Sequence, residues 1–261
     1  MGVASLGSGS RGNGTLVSIG GAVFLVDCGF NLKQTEQRLS RLQLSPGDLT
    51  AILVSHEHSD HIAGVTALSH RYSIPVYASY GTQKNGPKDF TCHAFDGDVP
   101  FELAGVTVNP VVVPHDAREP TQFVLQHEAT KIGVLSDLGS VTQHVINQFT
   151  GCDYLLLEAN HDRGMLQRGS YPAALKRRVG GDHGHLSNTQ AVELLTRIAH
   201  TNLHVVIGHI SEQNNDAGLV AELFAGLRPQ LGSLSIANQH EGQKWVGEQP
   251  MTRQISFDKV M

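Results

Sequence analysis

The chain has 261 residues, of which 40% are hydrophobic and 16% are charged, and its formal net charge is −5 at pH 7. This composition predicts a globular protein with a substantial core and argues against a disordered chain. The net negative charge excludes a basic field over the whole surface, so that only a local basic patch could contact nucleic acid.

The cysteine pattern and the N-terminus favour the cytoplasm. Cys28, Cys92 and Cys152 are odd in number, widely spaced and without a C-x-x-C pair, which argues against a disulfide framework. The N-terminus has neither a basic nor an apolar signal region, and no segment approaches about 18 apolar residues. We therefore expect a soluble cytoplasmic protein without a membrane partner.

The first fifty residues begin with short strands and one helix. Residues 22–26 form an apolar run that ends at Asp27, and Leu32, Leu39 and Leu42 share one helical face. The predicted elements are a strand over 3–6, a Gly/Ser-rich loop over 7–14, two strands around the Gly20-Gly21 turn and a helix over 32–42.

Five later apolar runs share one pattern, because each is short and leads into a polar residue capable of chemistry. These are 51–54 before His56, 111–113 before His115, 132–135 before Asp137, 154–157 before Glu158 and 204–207 before His209. Such runs are typical of strands buried on both faces, and their polar ends would gather along one sheet edge.

Helical segments are predicted between these strands. They cover residues 61–71, 140–149, 189–200 and 217–227, and the third follows a capping box of Ser187 and Gln190. Sheets with helices outside them predict an α/β layered sandwich, and we interpret residues 1–261 as one domain.

The most informative segment is Ser55 to His61, which has the spacing H-x-H-x-D-H. A single histidine after a strand is more often structural, but this dense spacing favours metal ligands. Imidazole and carboxylate groups suit zinc, manganese or iron. Alternation places His56 and His58 on one side of an extended loop, where they can share one ion, while Asp60 and His61 can serve a second.

This loop resembles the signature of the metallo-β-lactamase superfamily, and His115, Asp137 and His209 follow in the family's order. The resemblance implies a four-layer αββα sandwich that binds two divalent ions. The first ion would be held by His56, His58, His115 and Asp137, and the second by Asp60, His61, Asp137 and His209. It also implies hydrolysis by a metal-bridging hydroxide. Asp27 is expected either to support the histidine loop through hydrogen bonds or to form a turn before Gly29.

Further residues bear on the substrate. Glu158 and His185 resemble a pair found in RNase Z-type phosphodiesterases, which implies that His185 assists the leaving oxygen and that Glu158 orients it. We also expect Asp60, one of the metal ligands, to be catalytic. The triplet Lys176-Arg177-Arg178 is either a solvated face or a grip for phosphate, with Tyr171 as a weaker candidate for stacking.

The glycine-rich opening, together with segments 184–188 and 210–215, resembles the YycJ/WalJ subgroup, which is related to PhnP-type phosphodiesterases. This resemblance implies a 5′→3′ exonuclease on DNA, and we expect Ser8 and Asn188 to contact the substrate. The chain has no room between Asp137 and His209 for a β-CASP insertion, and it lacks the long arm of many RNase Z proteins.

Two alternatives remain open. One is a small-molecule hydrolase, such as a cyclic-nucleotide or phosphoribosyl phosphodiesterase or a thioesterase. The other is a metal-binding or redox module without hydrolytic activity.

Overall fold

The apolar runs of the N-terminal half form one mixed β-sheet in the computed structural model, which describes residues 1–250. Its strands are β1 (Gly2–Gly7), β2 (Gly14–Ile19), β3 (Ala22–Val26), β4 (Ala51–Val54), β5 (Val76–Ser79) and β6 (His93–Phe95). Strands β1, β2 and β3 pair antiparallel, whereas β3, β4, β5 and β6 run parallel.

A second mixed sheet follows. Its strands are β7 (Phe101–Leu103), β8 (Val106–Val112), β9 (Thr121–His127), β10 (Thr130–Leu135), β11 (Tyr154–Glu158), β12 (His204–Gly208) and β13 (Ser233–Ile236). Strands β10 to β13 are parallel, and β7 to β10 are antiparallel. The chain then returns to the first sheet, where β14 (Gln243–Gly247) pairs with β1. Within residues 1–250, each sheet therefore has seven strands.

Helices flank both sheets. They are α1 (Leu32–Arg41), α2 (Ser59–Ile62), α3 (Val65–Tyr72), α4 (Tyr80–Asn85), α5 (Gln143–Phe149), α6 (Arg163–Arg168), α7 (Ala173–Val179), α8 (Asn188–Ile198) and α9 (Ala217–Phe224), with 3₁₀ turns at Pro46–Asp48 and Ala225–Gln230. Of these helices, α1, α3, α5, α8 and α9 pack on the outer faces. The capping box of Ser187 and Gln190 is present at the start of α8, as predicted.

Strand β3 shows why these runs are apolar throughout. Ala22, Phe24 and Val26 lie in the core between the two sheets, while Val23 and Leu25 belong to the core beneath α1 and α3. A third core joins the second sheet to α5, α8 and α9. Each buried Leu or Phe side chain contributes about 1.5–3 kcal/mol, so a strand covered on both faces keeps no polar alternation.

These layers confirm the predicted four-layer αββα sandwich. Between β10 and β12, the described chain contains β11 and four helices, so no β-CASP-type domain is inserted there. The one-domain prediction includes residues 251–261, which lie outside the described residues, and it stays a prediction. Among the described helices, none has the length and hydrophobicity needed to cross a membrane.

One predicted helix is interrupted. The expected helix over 61–71 is divided into α2 and α3 at Gly64. The backbone N–H of Gly64 donates to the carbonyl of Cys28, and a Cβ atom at Gly64 would overlap the carbonyl of Phe30. This close approach needs glycine, and it presses the segment after β3 against the histidine loop.

Candidate metal centre

The polar residues that follow the strands converge at one edge of the sandwich. Asp27 follows β3, Asp137 follows β10 by two residues, Glu158 ends β11 and His209 follows β12. The histidine loop follows β4 at the same edge. Because the carboxyl ends of parallel strands lie together, residues far apart in sequence become neighbours.

Three of these residues have unusual backbone conformations. Asp27, Asp137 and His209 have φ angles of 62°, 50° and 51°. A left-handed conformation is uncommon for residues other than glycine and costs on the order of 1–3 kcal/mol when it is strained. Five other described residues besides the glycines also have positive φ, so the conformation alone does not identify the site, but at these three positions it accompanies convergent polar side chains.

A first cluster is formed by His56, His58 and His115. The ring of His56 lies 4.5 Å from that of His58 and 4.9 Å from that of His115, and Nε2 of His115 is 3.3 Å from Nδ1 of His58. Nδ1 of His115 donates to the carbonyl of Gly184 at 2.9 Å, so its Nε2 presents a lone pair.

His56 gives the clearest sign that a cation belongs in this cluster. Its Nδ1 donates to Oγ of Ser55 at 2.9 Å, because that hydroxyl gives its own proton to Asp27. Its Nε2 is buried and has no hydrogen-bond partner within residues 1–250. A buried nitrogen lone pair without a partner is costly, and a metal ion would satisfy it.

A second cluster contains Asp60, His61 and His209. Oδ2 of Asp60 lies 3.5 Å from Nε2 of His61 and 3.9 Å from Nε2 of His209. Asp137 lies between the clusters, with Oδ2 at 3.2 Å from Nε2 of His61 and Oδ1 at 4.0 Å from Nε2 of His115. One carboxylate can therefore face both clusters. This donor set of imidazoles and carboxylates suits divalent metals.

Asp27 supports this arrangement from beneath. Its Oδ2 accepts hydrogen bonds from Oγ of Ser55 at 2.7 Å and Nδ1 of His61 at 2.8 Å, and its Oδ1 accepts from the Ser55 N–H at 2.8 Å. Since Nδ1 of His61 contacts Asp27, Nε2 is the nitrogen that faces Asp60 and Asp137. Such contacts fix the tautomer and orientation of a metal-binding histidine.

Glu158 is fully buried and accepts four hydrogen bonds. Its Oε1 accepts from the Leu186 N–H at 2.7 Å. Its Oε2 accepts from the Asp137 N–H at 2.9 Å, from Nδ1 of His185 at 3.1 Å and from Nδ1 of His209 at 2.7 Å. The carboxylate thus holds His185, as predicted, and also holds His209, which the sequence did not indicate.

The electrostatics keep the carboxylates ionised. Burial would raise the pKa of Asp137, but the imidazoles of His209 and His61 hold it well below its usual range. Burial would likewise raise the pKa of Glu158, but the neighbouring His185 and His209 lower it to about 2. Conversely, burial and the neighbouring His61 lower the pKa of His56 well below its ordinary value. Burial disfavours the charged imidazoles of His61 and His209, but the neighbouring carboxylates raise the pKa of His209 to about 10 and that of His61 well above its ordinary value. Metals bind neutral imidazole and ionised carboxylates, so an ion bound here would displace these protons.

The two clusters open into a cleft of about 320 Å³. His58, Asp60, Asp137, His185 and His209 line it, together with Ser10, Ser59, Asp116, Asn160, Tyr171, Leu175, Arg178, Val179, Gly184 and Ser211. The sequence reasoning singled out Arg178 and Tyr171, and both lie in this wall.

Two residues that contact the clusters were not predicted from the sequence. Asp116 accepts a hydrogen bond from Nε of Arg178 and lies 3.4 Å from Nε2 of His115. The side-chain nitrogen of Asn13 contacts Oδ2 of Asp60 at 3.3 Å and Nε2 of His61 at 3.0 Å. Asp116 could have been identified from the sequence, because it directly follows the predicted ligand His115. Asn13 could not, because it lies in a glycine-rich loop 47 residues before Asp60.

The other predicted substrate contacts are placed differently. Ser8 is buried, and its Oγ accepts the N–H of His209 at 2.6 Å, so it positions a backbone and does not line the cleft. Asn188 is buried and forms two reciprocal 2.8 Å hydrogen bonds with Asn215, which occupy its amide and correct the prediction that it touches substrate. Lys176 and Arg177 line a separate depression, so the basic triplet is divided and only Arg178 lines the cleft.

Comparison with known proteins agrees with this geometry. A beta-lactamase superfamily domain matches residues 23–210. The chain is 34% identical over 218 residues to the exodeoxyribonuclease YycJ of Bacillus anthracis, covering 80% of this chain and 82% of the relative. It is 33% identical over 219 residues to the exodeoxyribonuclease WalJ of Streptococcus pneumoniae serotype 2, covering 80% and 81%.

A solved structure shows the same fold. Zn²⁺-bound PqqB from Methylobacterium extorquens superposes with a TM-score of 0.69 at 18% identity, covering 92% of this chain and 98% of that chain. The family match and the curated relatives together confirm the predicted resemblance. This chain belongs to the beta-lactamase superfamily and is a hydrolytic enzyme of the metallo-β-lactamase fold and the YycJ/WalJ type.

Proposed function

We propose that this protein is a two-metal phosphodiesterase that acts on DNA as a 5′→3′ exonuclease. The proposal depends on the position of His185, which lines the cleft beside both clusters and is held there by a hydrogen bond to Glu158. The ring of His185 lies 5.3 Å from that of His115 and 5.1 Å from that of His209. The exodeoxyribonuclease names of two relatives that match 80% of this chain support DNA as the substrate.

The ligands follow from the imidazole nitrogens and carboxylate oxygens that converge in the two clusters. His56, His58, His115 and Asp137 would hold the first ion, and Asp60, His61, His209 and the same Asp137 would hold the second. Zinc and manganese suit this donor set, and iron is also compatible with it. Two such ions supply a nucleophilic water at neutral pH and stabilise negative charge on phosphoryl oxygens.

His185 would supply the proton for the leaving oxygen. Its Nδ1 is taken by Glu158 at 3.1 Å and Asp137 at 3.4 Å, so Nε2 is the nitrogen free to act in the cleft. Burial disfavours the charged imidazole, but the two carboxylates raise the pKa of His185 overall. A raised pKa favours the protonated imidazole, which is the form that a general acid needs.

Other residues of the cleft would bind and orient the substrate. Asp60 belongs to the second cluster and also lines the cleft, so it would help to hold the second ion at the place where the substrate enters. Arg178, oriented by Asp116, would contact a phosphate oxygen. On the cysteine pattern we also propose a cytoplasmic location, with residues 1–261 acting as one domain.

The test compares His185→Ala with His183→Ala, a matched control at an exposed histidine two residues away. Both variants are loaded with metal and assayed on 5′-phosphorylated single- and double-stranded DNA, on RNA, on bis-p-nitrophenyl phosphate and on a thioester. We expect His185→Ala to keep its metal and lose about 10²–10⁴-fold in DNA turnover, while the control stays active.

Two results would reject the proposal. A fully active His185→Ala variant would remove His185 from the chemistry. A wild-type protein that prefers the thioester, or a small phosphodiester over DNA, would favour the small-molecule alternative.

A further inference from the structure

One segment of this acidic chain is strongly basic. Residues 163–178, here called the basic segment, contain five of the 19 Lys and Arg residues and no Asp or Glu. Its cations are Arg163, Arg168, Lys176, Arg177 and Arg178. A local excess of +5 in a chain of net charge −5 is the kind of patch that polyanion binding requires.

The fold places the basic segment at the mouth of the metal cleft. It forms α6, α7 and the turn between them. Tyr171, Leu175 and Arg178 line the cleft, so one side of α7 faces the proposed active site. The basic segment is therefore continuous with the site where a phosphodiester would be cut.

The other side of α7 borders a second depression, of about 310 Å³. Arg163 from α6 and Lys176 and Arg177 from α7 line this depression, with His161 beside them. The His161 side chain is only 2% exposed, and its Nδ1 has no hydrogen-bond partner within residues 1–250. The depression thus combines three cations with a buried polar group that lacks a partner.

These cations are not neutralised by the protein. Arg178 is paired with Asp116, but within residues 1–250 no carboxylate forms an ion pair with Arg163, Lys176 or Arg177. The Nζ of Lys176 donates to the backbone carbonyl of Gln167 at 2.7 Å, which ties α7 to α6 and leaves its charge uncompensated. Their charge is available to an external anion.

We infer that a single strand of DNA leaving the metal cleft crosses α7 and places a backbone phosphate in the second depression. This inference rests on the proposed function, because the strand must begin at the metal centre. Tyr171 would stack on a base at the mouth of the cleft, and Arg163, Lys176 and Arg177 would hold the phosphate beyond it. An aromatic platform combined with a basic groove is a common way to bind single strands without sequence preference.

The experiment measures binding separately from catalysis. Lys176→Gln/Arg177→Gln is compared with Lys33→Gln/Lys244→Gln, a control that removes two exposed cations from surfaces lining neither depression. Binding of fluorescent 20-nucleotide single strands and duplexes, made with phosphorothioate linkages that resist cleavage, is followed by anisotropy with the metal-loaded proteins over a series of salt concentrations. Cleavage of unmodified strands of the same sequence is measured in parallel.

The expected result follows from counterion release. Each phosphate contact to a single strand contributes about 0.7 to the slope of log affinity against log salt, or a factor of about 8 at 50 mM salt. The Lys176/Arg177 variant should lose about 8-fold in affinity for one contact and about 60-fold for two, with a slope smaller by about 0.7–1.4. The control variant should keep both the affinity and the slope.

Failure of the inference differs from failure of the proposed function. If the wild type cuts DNA but both double variants bind it as the wild type does, the path over α7 is wrong and the nuclease survives. An equal loss in the two variants, or a loss confined to duplexes, would also overturn the path. If the single-strand loss appears but the wild type cuts no DNA, the binding surface stands and the nuclease proposal fails.

Discussion

Replacing Glu158 with glutamine tests how the centre is held. The substitution keeps the shape of the side chain but removes its charge. In its best orientation the amide oxygen keeps the three hydrogen bonds of Oε2, and the NH₂ group then faces the N–H of Leu186. Glu158→Gln therefore weakens the three charge-assisted bonds from the Asp137 N–H, His185 and His209, and it leaves the buried N–H of Leu186 without an acceptor.

The expected loss can be estimated from these contacts. A charge-assisted hydrogen bond is about twice as strong as a neutral one, so each weakened bond costs about 1 kcal/mol, and the unsatisfied donor costs about 1–3 kcal/mol. The total, about 4–6 kcal/mol, is a large share of the stability of about 5–15 kcal/mol typical of proteins. The lowered pKa of Glu158, about 2 against an ordinary 4.5, indicates an effect of similar size.

The assay is urea denaturation of the metal-free protein, with the exposed Glu193→Gln on α8 as the control. The control should stay within about 0.5 kcal/mol of the wild type. Because the pKa of Glu158 is lowered by folding, the difference should be full above pH 4.5 and disappear as the pH falls towards 2. A Glu158→Gln protein as stable as the wild type at pH 7 would refute the reasoning.

Three further outcomes follow. Asp27→Asn should lower metal affinity about 10–100-fold, because Nδ1 of His61 loses its carboxylate acceptor, and metal titration checks this; unchanged affinity would contradict it. Asn188→Ala should lower the free energy of unfolding by about 1–3 kcal/mol, because Asn215 loses its partner, and should leave turnover per folded molecule unchanged. A loss of turnover without a loss of stability would instead show that Asn188 contacts the substrate. Burial raises the pKa of Cys28 to about 11 and that of Cys152 to about 12, so at pH 8 about one Cys28 thiol in a thousand is ionised. Both cysteines should therefore react with a thiol reagent only after the protein unfolds.

The fold was largely predictable because its strongest signal is local. Runs such as 51–54 and 204–207 are apolar throughout, which is typical of strands covered on both faces, and they form β4 and β12. The division of the helix over 61–71 was not predictable, because it depends on how closely Gly64 approaches Cys28 and Phe30. Helix α7 was also missed, since its basic triplet gave no apolar periodicity.

In the candidate site, too, features set by neighbouring residues were predictable, and features set by contacts between distant residues were not. The spacing of the histidine loop indicated which side chains would meet, and the structure brings His115, Asp137 and His209 to that loop. Their roles as ligands stay predictions. Burial could not be inferred from motifs alone. Asn188 was expected to contact the substrate because segment 184–188 resembles the YycJ/WalJ subgroup, but its partner Asn215 lies 27 residues away and holds it inside the protein.

The central claim is that seven side chains hold two ions, and metal content tests it most directly. Protein stripped of metal is titrated with Zn²⁺ or Mn²⁺, freed of excess ions and measured by elemental analysis together with DNA cleavage. The account predicts two ions per chain, with cleavage complete only when both are bound, and a clear loss of stoichiometry in Asp137→Ala. One ion per chain at full activity, or a fully loaded Asp137→Ala, would contradict it.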